Sequence, residues 1–288
     1  MRDPHSPSLR LRRLAAELRR SRESAKLTVT QVAKELGWSA PKVSKMETTE
    51  TKRISAADLD KLMDLYKIGD PETREALQAL ARDARERGWW SKYKDIFGSK
   101  ALPDFEAEAS TIRTFEAQMI PGLFQTPDYT AALLAGRRYT TPEEINRKVE
   151  ARMARREILY KFRPVQLLAV LDEGALRRVI GGPKVMREQL EHVLHIAQMP
   201  NINVQVLPFS SGSHSALGAP FTILEFPEPL DLPIIYVETV TDGIFVEDRT
   251  EIERYSMVFG DVQGSAISTA QSAEFIRSVI ASLGDGER

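Results

Sequence analysis

The stretch LTVTQVAKELGWSAPKVSKMETTETKR, residues 27–53, decides the fold of the N-terminal part of the chain. Leu27, Val32, Leu36, Val43 and Met46 are spaced so that two short helices close one apolar face, with Gly37 where the chain must swing between them. Thr28 and Ser39 are hydroxyl residues immediately before the two amphipathic runs, where each can cap a helix N-terminus. Pro41 falls in the first turn of the second helix, where its missing N–H costs little and its fixed φ favours the helix. With the apolar positions inward, Lys42, Ser44 and Lys45 point outward, as a helix entering a DNA major groove must show them to base edges and phosphates. The pattern is that of a helix-turn-helix.

Helical spacing continues on both sides of this stretch. From Leu9, Leu11, Leu14, Ala15 and Leu18 form an apolar stripe set among arginines. After it, Ser55 caps a helix with Leu59, Leu62 and Leu65 inward, and Asp70-Pro71 opens another through Leu77 and Leu80 to about Arg87. Five short helices make an all-α domain over 9–87, preceded by a disordered tail, 1–8, with two prolines. Residues 88–103 read as an irregular connector, in which Trp89 and Trp90 suit a wedge between packed domains better than a platform for bases.

Charge is segregated along the chain. Residues 1–53 hold 13 Lys/Arg against 6 Asp/Glu, and the remainder holds 27 against 35, although the net charge is only -1. A basic reading head on an acidic body fits phosphate neutralisation confined to one end. A solvated helix face is the ordinary fate of charge runs, and only the helix-turn-helix pattern makes it the weaker explanation here. At 288 residues and roughly 150 per domain, two domains are expected, each with its own core. The absence of cysteine excludes disulfides and thiolate metal sites. No apolar run approaches the roughly 18–20 residues of a membrane span, and Met1 to Pro7 lacks the apolar core of a signal peptide. A soluble, cytoplasmic protein with no membrane partner is expected.

The domain over 104–288 reads as α+β, with flanking helices about a mixed or antiparallel sheet. Asp104 to Met119 has Phe105, Ile112, Phe115 and Met119 as the stripe of a helix. Thr126-Pro127-Asp128 opens a second helix, and a third runs from Thr141 to about Tyr160, ending before Pro164. VQLLAVLDE, INVQVLPF, APFTILEF and LPIIYVETV are strands between Pro, Gly and Asp turns, with GIFVED a further candidate. DEGALRRVIGG is a short helix, and Val185 to Met199, Glu247 to Val262 and Ser268 to Leu283 are longer ones.

Residues 27–47 also resemble the XRE-type (Cro/CI-like) repressors. Leu27-Thr28-Val29, Val32-Ala33, Gly37 and Val43-Ser44-Lys45-Met46-Glu47 stand where that family has Leu-Thr-Gln, Leu-Ala, a Gly turn and Ile-Ser-x-x-Glu. The resemblance implies an ion pair between Arg22 and Glu47. It implies base contacts from Ala40, Pro41 and Lys45, and backbone or flanking contacts from Thr28, Ser39, Lys42, Ser44, Lys52 and Arg53. Lys45 can donate to guanine O6/N7, and Ala40 or Pro41 can touch a thymine methyl. Val29 replaces the family's Gln, a phosphate contact, and leaves that anchor in question. From Leu9 to about Leu283, the phrases GWW, EAEAS, IPGLFQT, LDEGALRR, GGPKVMREQL, NINVQVLPFSSGSH, PFTILEF and IIYVET resemble the C-terminal domain of actinobacterial, WhiJ-like XRE-type regulators. That similarity implies a transcriptional regulator, often encoded beside a small partner protein in a pair that looks like a toxin and antitoxin.

Enzymatic constellations are weak by comparison. His192 and His195, at i, i+3 on a helix, have no third metal ligand nearby, and an exposed or hydrogen-bonded pair is the better reading. Ser210 to Gly218 places serines beside His214 without a shaped elbow, and it lacks the order of a phosphate loop. Asp172 and Glu173 suit a helix cap better than an acid/base pair. No catalytic site, metal or cofactor is expected. The second domain is left with three possible tasks: forming the homodimer that sets two heads about one helical turn apart, holding a small partner protein, or binding an effector. Phe209, His214, Phe221 and Tyr236 are candidates to line an effector pocket, and equally ordinary core aromatics. The expected function is a dimeric, sequence-specific regulator on double-stranded DNA. The alternative is an antitoxin-like protein that sequesters its neighbour and binds DNA only to regulate itself.

Overall fold

The computed structural model describes residues 9–48, 50, 51, 53–84, 92–97, 102–136, 141–227, 232–239 and 243–284. The expectations for the tail 1–8, for Trp89 and Trp90, and for Lys52 lie outside them. The chain divides into two compact units, 1–105 and 106–288.

The first unit is helical: α1 (Leu9–Ser24), α2 (Val29–Leu36), α3 (Ala40–Glu47), α4 (Ala56–Leu65) and α5 (Pro71–Asp83). Each of the last four begins at a side-chain cap, Thr28, Ser39, Ser55 and Asp70, accepting the N–H three residues on. Thr28 and Gln31 complete a reciprocal capping box. Gly37 ends α2 at φ 65, a backbone conformation that costs an L side chain and suits glycine. Leu14, Leu18, Val32, Val43, Met46, Ile54, Leu59, Leu62, Met63, Tyr66 and Leu77 close one core. Leu65 and Leu80, expected inward, sit only at its rim.

Two short helices follow, α6 (Lys94–Phe97), within the connector that the sequence suggested was irregular, and α7 (Leu102–Glu108), which begins at the end of that connector. The helix expected over 104–119 is corrected: α7 stops at Glu108 and Thr111–Glu116 is strand β1. The spacing of Phe105, Ile112, Phe115 and Met119 imitates a helix. Ile112 and Phe115 are instead buried on opposite faces of the sheet, and the β-branched Thr111, Ile112 and Thr114 favour the extended chain.

In the second unit β1 is followed by α8 (Pro127–Ala135), α9 (Pro142–Arg155), β2 (Gln166–Asp172), α10 (Glu173–Arg177), α11 (Gly182–Ile196) and β3 (Ile202–Leu207). Then come β4 (Phe221–Glu225), β5 (Ile234–Glu238), β6 (Gly243–Val246), α12 (Arg249–Ser265) and α13 (Thr269–Ser282). The helix expected to reach Tyr160 tightens after Arg155 into a 3-10 turn, Arg156–Leu159. The sheet is mixed, in the order β3-β2-β1-β4-β5-β6. β1, β2 and β3 are parallel, and β4, β5 and β6 add on the other side of β1 in antiparallel fashion. This is the expected α+β class, with β1 as the strand on which both halves meet. One face packs Phe115, Val170, Phe221, Ile223 and Ile235 against Phe259 and Val262 of α12. The free edge of β3 is closed by the turn before α13: Ile267 N donates to the Val206 carbonyl, and Val206 N donates to Ser272 Oγ.

Candidate nucleic-acid interface

Helix α3 is held by α1 through a charged clamp. Arg22 Nε donates to Glu47 Oε1 at 2.8 Å and Nη2 donates to Oε2 at 2.9 Å, while Nη1 donates to the Leu27 carbonyl at 2.8 Å. The fork fixes the C-terminal end of α3 and the entry to α2 to one guanidinium. The hydrogen bonds to Glu47, outweighing the desolvation, raise the Arg22 pKa above its ordinary value. With Val43 and Met46 buried below, α3 can turn only its other side outward.

That outward side carries Pro41, Ser44 and Lys45, all exposed, with Ala40 half-buried at the start. Ala40, Pro41, Ser44 and Lys45 line a shallow depression of about 370 Å³ together with Val29 of α2 and Glu50 beyond α3. The three expected base-contacting residues are thus brought to one surface. Glu50 was not anticipated there; nothing in its local spacing distinguishes it from a solvated acid. Thr28 and Ser39 are exposed at the starts of α2 and α3, their oxygens already accepting from Gln31 N and Lys42 N. Arg53 is exposed.

Lys42 requires a correction. It is half-buried rather than free: its Nζ lies 3.1 Å from Asp58 Oδ2 of α4 and 3.8 Å from the centre of the Trp38 ring. A lysine stem lies readily along an indole while its ammonium keeps a carboxylate, so Lys42 braces α3 against α4 before it meets any phosphate.

Residues 13–77 match a helix-turn-helix domain, and residues 99–278 match the family described as a domain of unknown function, DUF5753. The chain belongs to the DUF5753 family. No curated protein and no solved structure matches it. The helix-turn-helix domain marks a DNA-binding regulator. Among the described residues, no helix is long and apolar enough to cross a membrane.

The four residues named as candidates for an effector pocket, or equally for core aromatics, are not brought together in the DUF5753 unit. Phe209 is 60 % exposed. His214 and Phe221 both lie against Phe115, at 5.5 and 6.3 Å between ring centres, on the α12 face. Tyr236 neighbours the core residue Ile235 along β5 and therefore points to the opposite face, against Phe245. Phe221 is a core aromatic of the α12 face with half-buried His214 beside the same ring, Tyr236 is buried on the opposite face, and Phe209 is exposed.

The histidine pair also sits apart from any ligand set. His192 Nε2 is 2.6 Å from Arg156 Nη2, and burial, then Arg156, then His195 hold its pKa down to about 4. Among the described residues no group of three or more His, Asp or Glu could hold a metal ion. Asp172 caps α10 by accepting from Gly174 N, and Glu173 pairs with Arg177 and accepts from Phe209 N. Both carboxylates are engaged in fixing the chain around the end of β2.

Proposed function

We propose that this DUF5753 protein is a sequence-specific transcriptional regulator of the XRE type that reads double-stranded DNA through α3. The observation that carries the reading is the single surface formed by Ala40, Pro41, Ser44 and Lys45, held at a fixed angle by the Arg22–Glu47 clamp. A protruding helix with a lysine and two small apolar residues fits the major groove, where lysine donates to guanine and apolar groups meet thymine methyls. Arg53 and the exposed caps Thr28 and Ser39 flank that surface as backbone contacts, and Lys42 joins them once released from Asp58. Two heads joined as a homodimer gain affinity and register on half-sites about one turn apart, a task assigned to the DUF5753 unit. We treat the protein as a cytoplasmic binding protein rather than an enzyme.

Genomic footprinting supplies the operator, and Lys45→Ala then tests the assignment. The variant should weaken operator binding by about 1–3 kcal/mol and relax discrimination at one base position, with nonspecific binding changed far less. A footprint and a base preference identical to the parent protein's would refute the base contact.

A further inference from the structure

Beyond α3 the chain turns back along the helix it has just left. Thr48 N and Thr48 Oγ1 both donate to the Ser44 carbonyl, and Thr51 N donates to the Lys45 carbonyl at 3.1 Å. Bonds on both sides of Glu50 therefore tether it to the last turn of α3. Although it follows the helix in sequence, Glu50 lines the same depression as Ala40 and Pro41 of the first turn.

That depression has two chemical halves. Val29, Ala40 and Pro41 give it apolar walls, and Ser44, Lys45 and Glu50 supply a hydroxyl, a cation and an anion. Lys45 and Glu50 are both exposed, and among the described residues no ion pair joins them. Other acids of the head are matched within it: Glu17 by Arg20, Glu23 by Arg19, Glu47 by Arg22 and Asp58 by Lys42.

An acid on a surface that meets DNA must find a donor there or oppose binding. Phosphate oxygens repel it, and so do guanine N7 and O6, adenine N7 and thymine O4 along the major groove. Only amino groups suit a carboxylate. Adenine N6 stands beside the acceptor N7, whereas cytosine turns N4 to the groove with no acceptor next to it.

We propose that Glu50 is a specificity-determining residue of the reading surface, accepting a hydrogen bond from the N4 amino group of a cytosine in the major groove. The inference rests on α3 reading DNA as proposed above, and adds which base is selected there and by what means. Lys45 as donor and Glu50 as acceptor match the two sides of G·C pairs, whose guanine shows acceptors and whose cytosine shows a donor. Selection is largely by rejection. Where thymine or guanine stands in place of the cytosine, the carboxylate faces acceptors and loses its contact with water without gaining a donor.

Because the same charge opposes phosphate, removing it moves two quantities in opposite directions: binding to arbitrary DNA rises, and discrimination at one position falls. A side chain that merely held the fold would lower both.

Selection of the full chain on a randomised duplex library, followed by titration of the enriched duplex, tests this. The parent protein should enrich a motif containing a fixed cytosine. Glu50→Ala, at an exposed position, should lose the preference there by roughly tenfold, keep the rest of the motif, and bind arbitrary duplex roughly two- to threefold more tightly. Glu50→Gln, whose amide both accepts and donates, should tolerate guanine or thymine at that position while still binding cytosine. Replacing the cytosine with 2-pyrimidinone, which lacks the N4 amino group, should weaken the parent roughly tenfold more than it weakens Glu50→Ala. A motif unchanged in Glu50→Ala, a loss spread evenly over all positions, or an equal penalty for 2-pyrimidinone in parent and variant would overturn the assignment while leaving α3 as the reading helix. A parent protein that enriches no motif would sink the regulatory reading itself, and this inference with it.

Discussion

Replacing Glu47 with Ala removes the carboxylate that holds Arg22, and its cost can be worked from the geometry. The Arg22 side chain is 11 % exposed and that of Glu47 is 5 % exposed, so the variant leaves a guanidinium largely out of water. It keeps the hydrogen bond to the Leu27 carbonyl and, at 3.6 Å, the neighbouring Glu23 carboxylate. Breaking a buried pair from one side costs about 3–5 kcal/mol. The small exposed edge of Arg22 lets some water reach the freed nitrogens and sets the expectation at the lower end, about 3 kcal/mol. For a helical head of this size total stability is about 4–12 kcal/mol, so a quarter or more of it is lost. The head's thermal midpoint should fall by about 12–24 °C. Scanning calorimetry of the full chain, with hydrogen exchange followed over 29–47, separates this loss from the second unit. The companion variant, Arg22→Met with Glu47→Leu, removes both charges together and, beyond the pair itself, forfeits the bond to the Leu27 carbonyl, worth about 1 kcal/mol, and the exposed contact with Glu23. It should recover most of the stability. A loss below about 1 kcal/mol in Glu47→Ala, or a double variant no better than the single one, would refute the view that α3 is set by this clamp.

Asp58→Ala frees Lys42 from its 3.1 Å partner, and nonspecific DNA affinity at low salt should rise two- to threefold, roughly, with the salt slope steeper by about one; filter binding across a salt series reads both. His192, at about 4 against 6.5 unfolded, is neutral in the fold, so its contribution is complete above about pH 7 and is lost as pH falls through 6.5 toward 4. His192→Gln should flatten that loss, by about 1–2 kcal/mol between pH 7 and pH 4.5, in urea midpoints of the second unit. Gly243→Ala forces the buried Tyr236 ring off its site and should cost the same unit about 1–2 kcal/mol, seen as a lower thermal midpoint.

The helices of the head were legible because their signals are local. A hydroxyl before an apolar run, a glycine after it and a period of three to four suffice for Thr28, Ser39 and Gly37. Strand β1 was not, because a strand buried on both faces loses its alternation, and Ile112 and Phe115 then match a helical step as well as an extended one. Pairings across the fold carry no local trace. Lys42 and Asp58 are 16 positions apart, and nothing in either neighbourhood says that the outward lysine leans on the next helix. The Arg22–Glu47 pair was reached only through the repressor-like pattern. The four candidate aromatics are dispersed for a related reason: Tyr236 and Phe221 are both ring-bearing strand residues, and only the register assigns them to opposite faces.

Composition also overstates what the head can offer DNA. Its surplus of basic residues is partly spent inside the unit: Arg19 on Glu23, Arg20 on Glu17, Arg22 on Glu47 and Lys42 on Asp58. The surface beside α3 keeps Lys45 and Arg53 exposed and adds Glu50, an acid that repels phosphate and accepts only from base amino groups such as cytosine N4. A head of this kind leans less on bulk phosphate attraction and more on the fit of α3, since each internal pair subtracts a counterion from the salt-dependent part of binding. The clamp at Arg22 and the brace at Lys42 then act in the same sense, giving up charge that would bind any DNA in order to hold the helix that distinguishes one sequence from another.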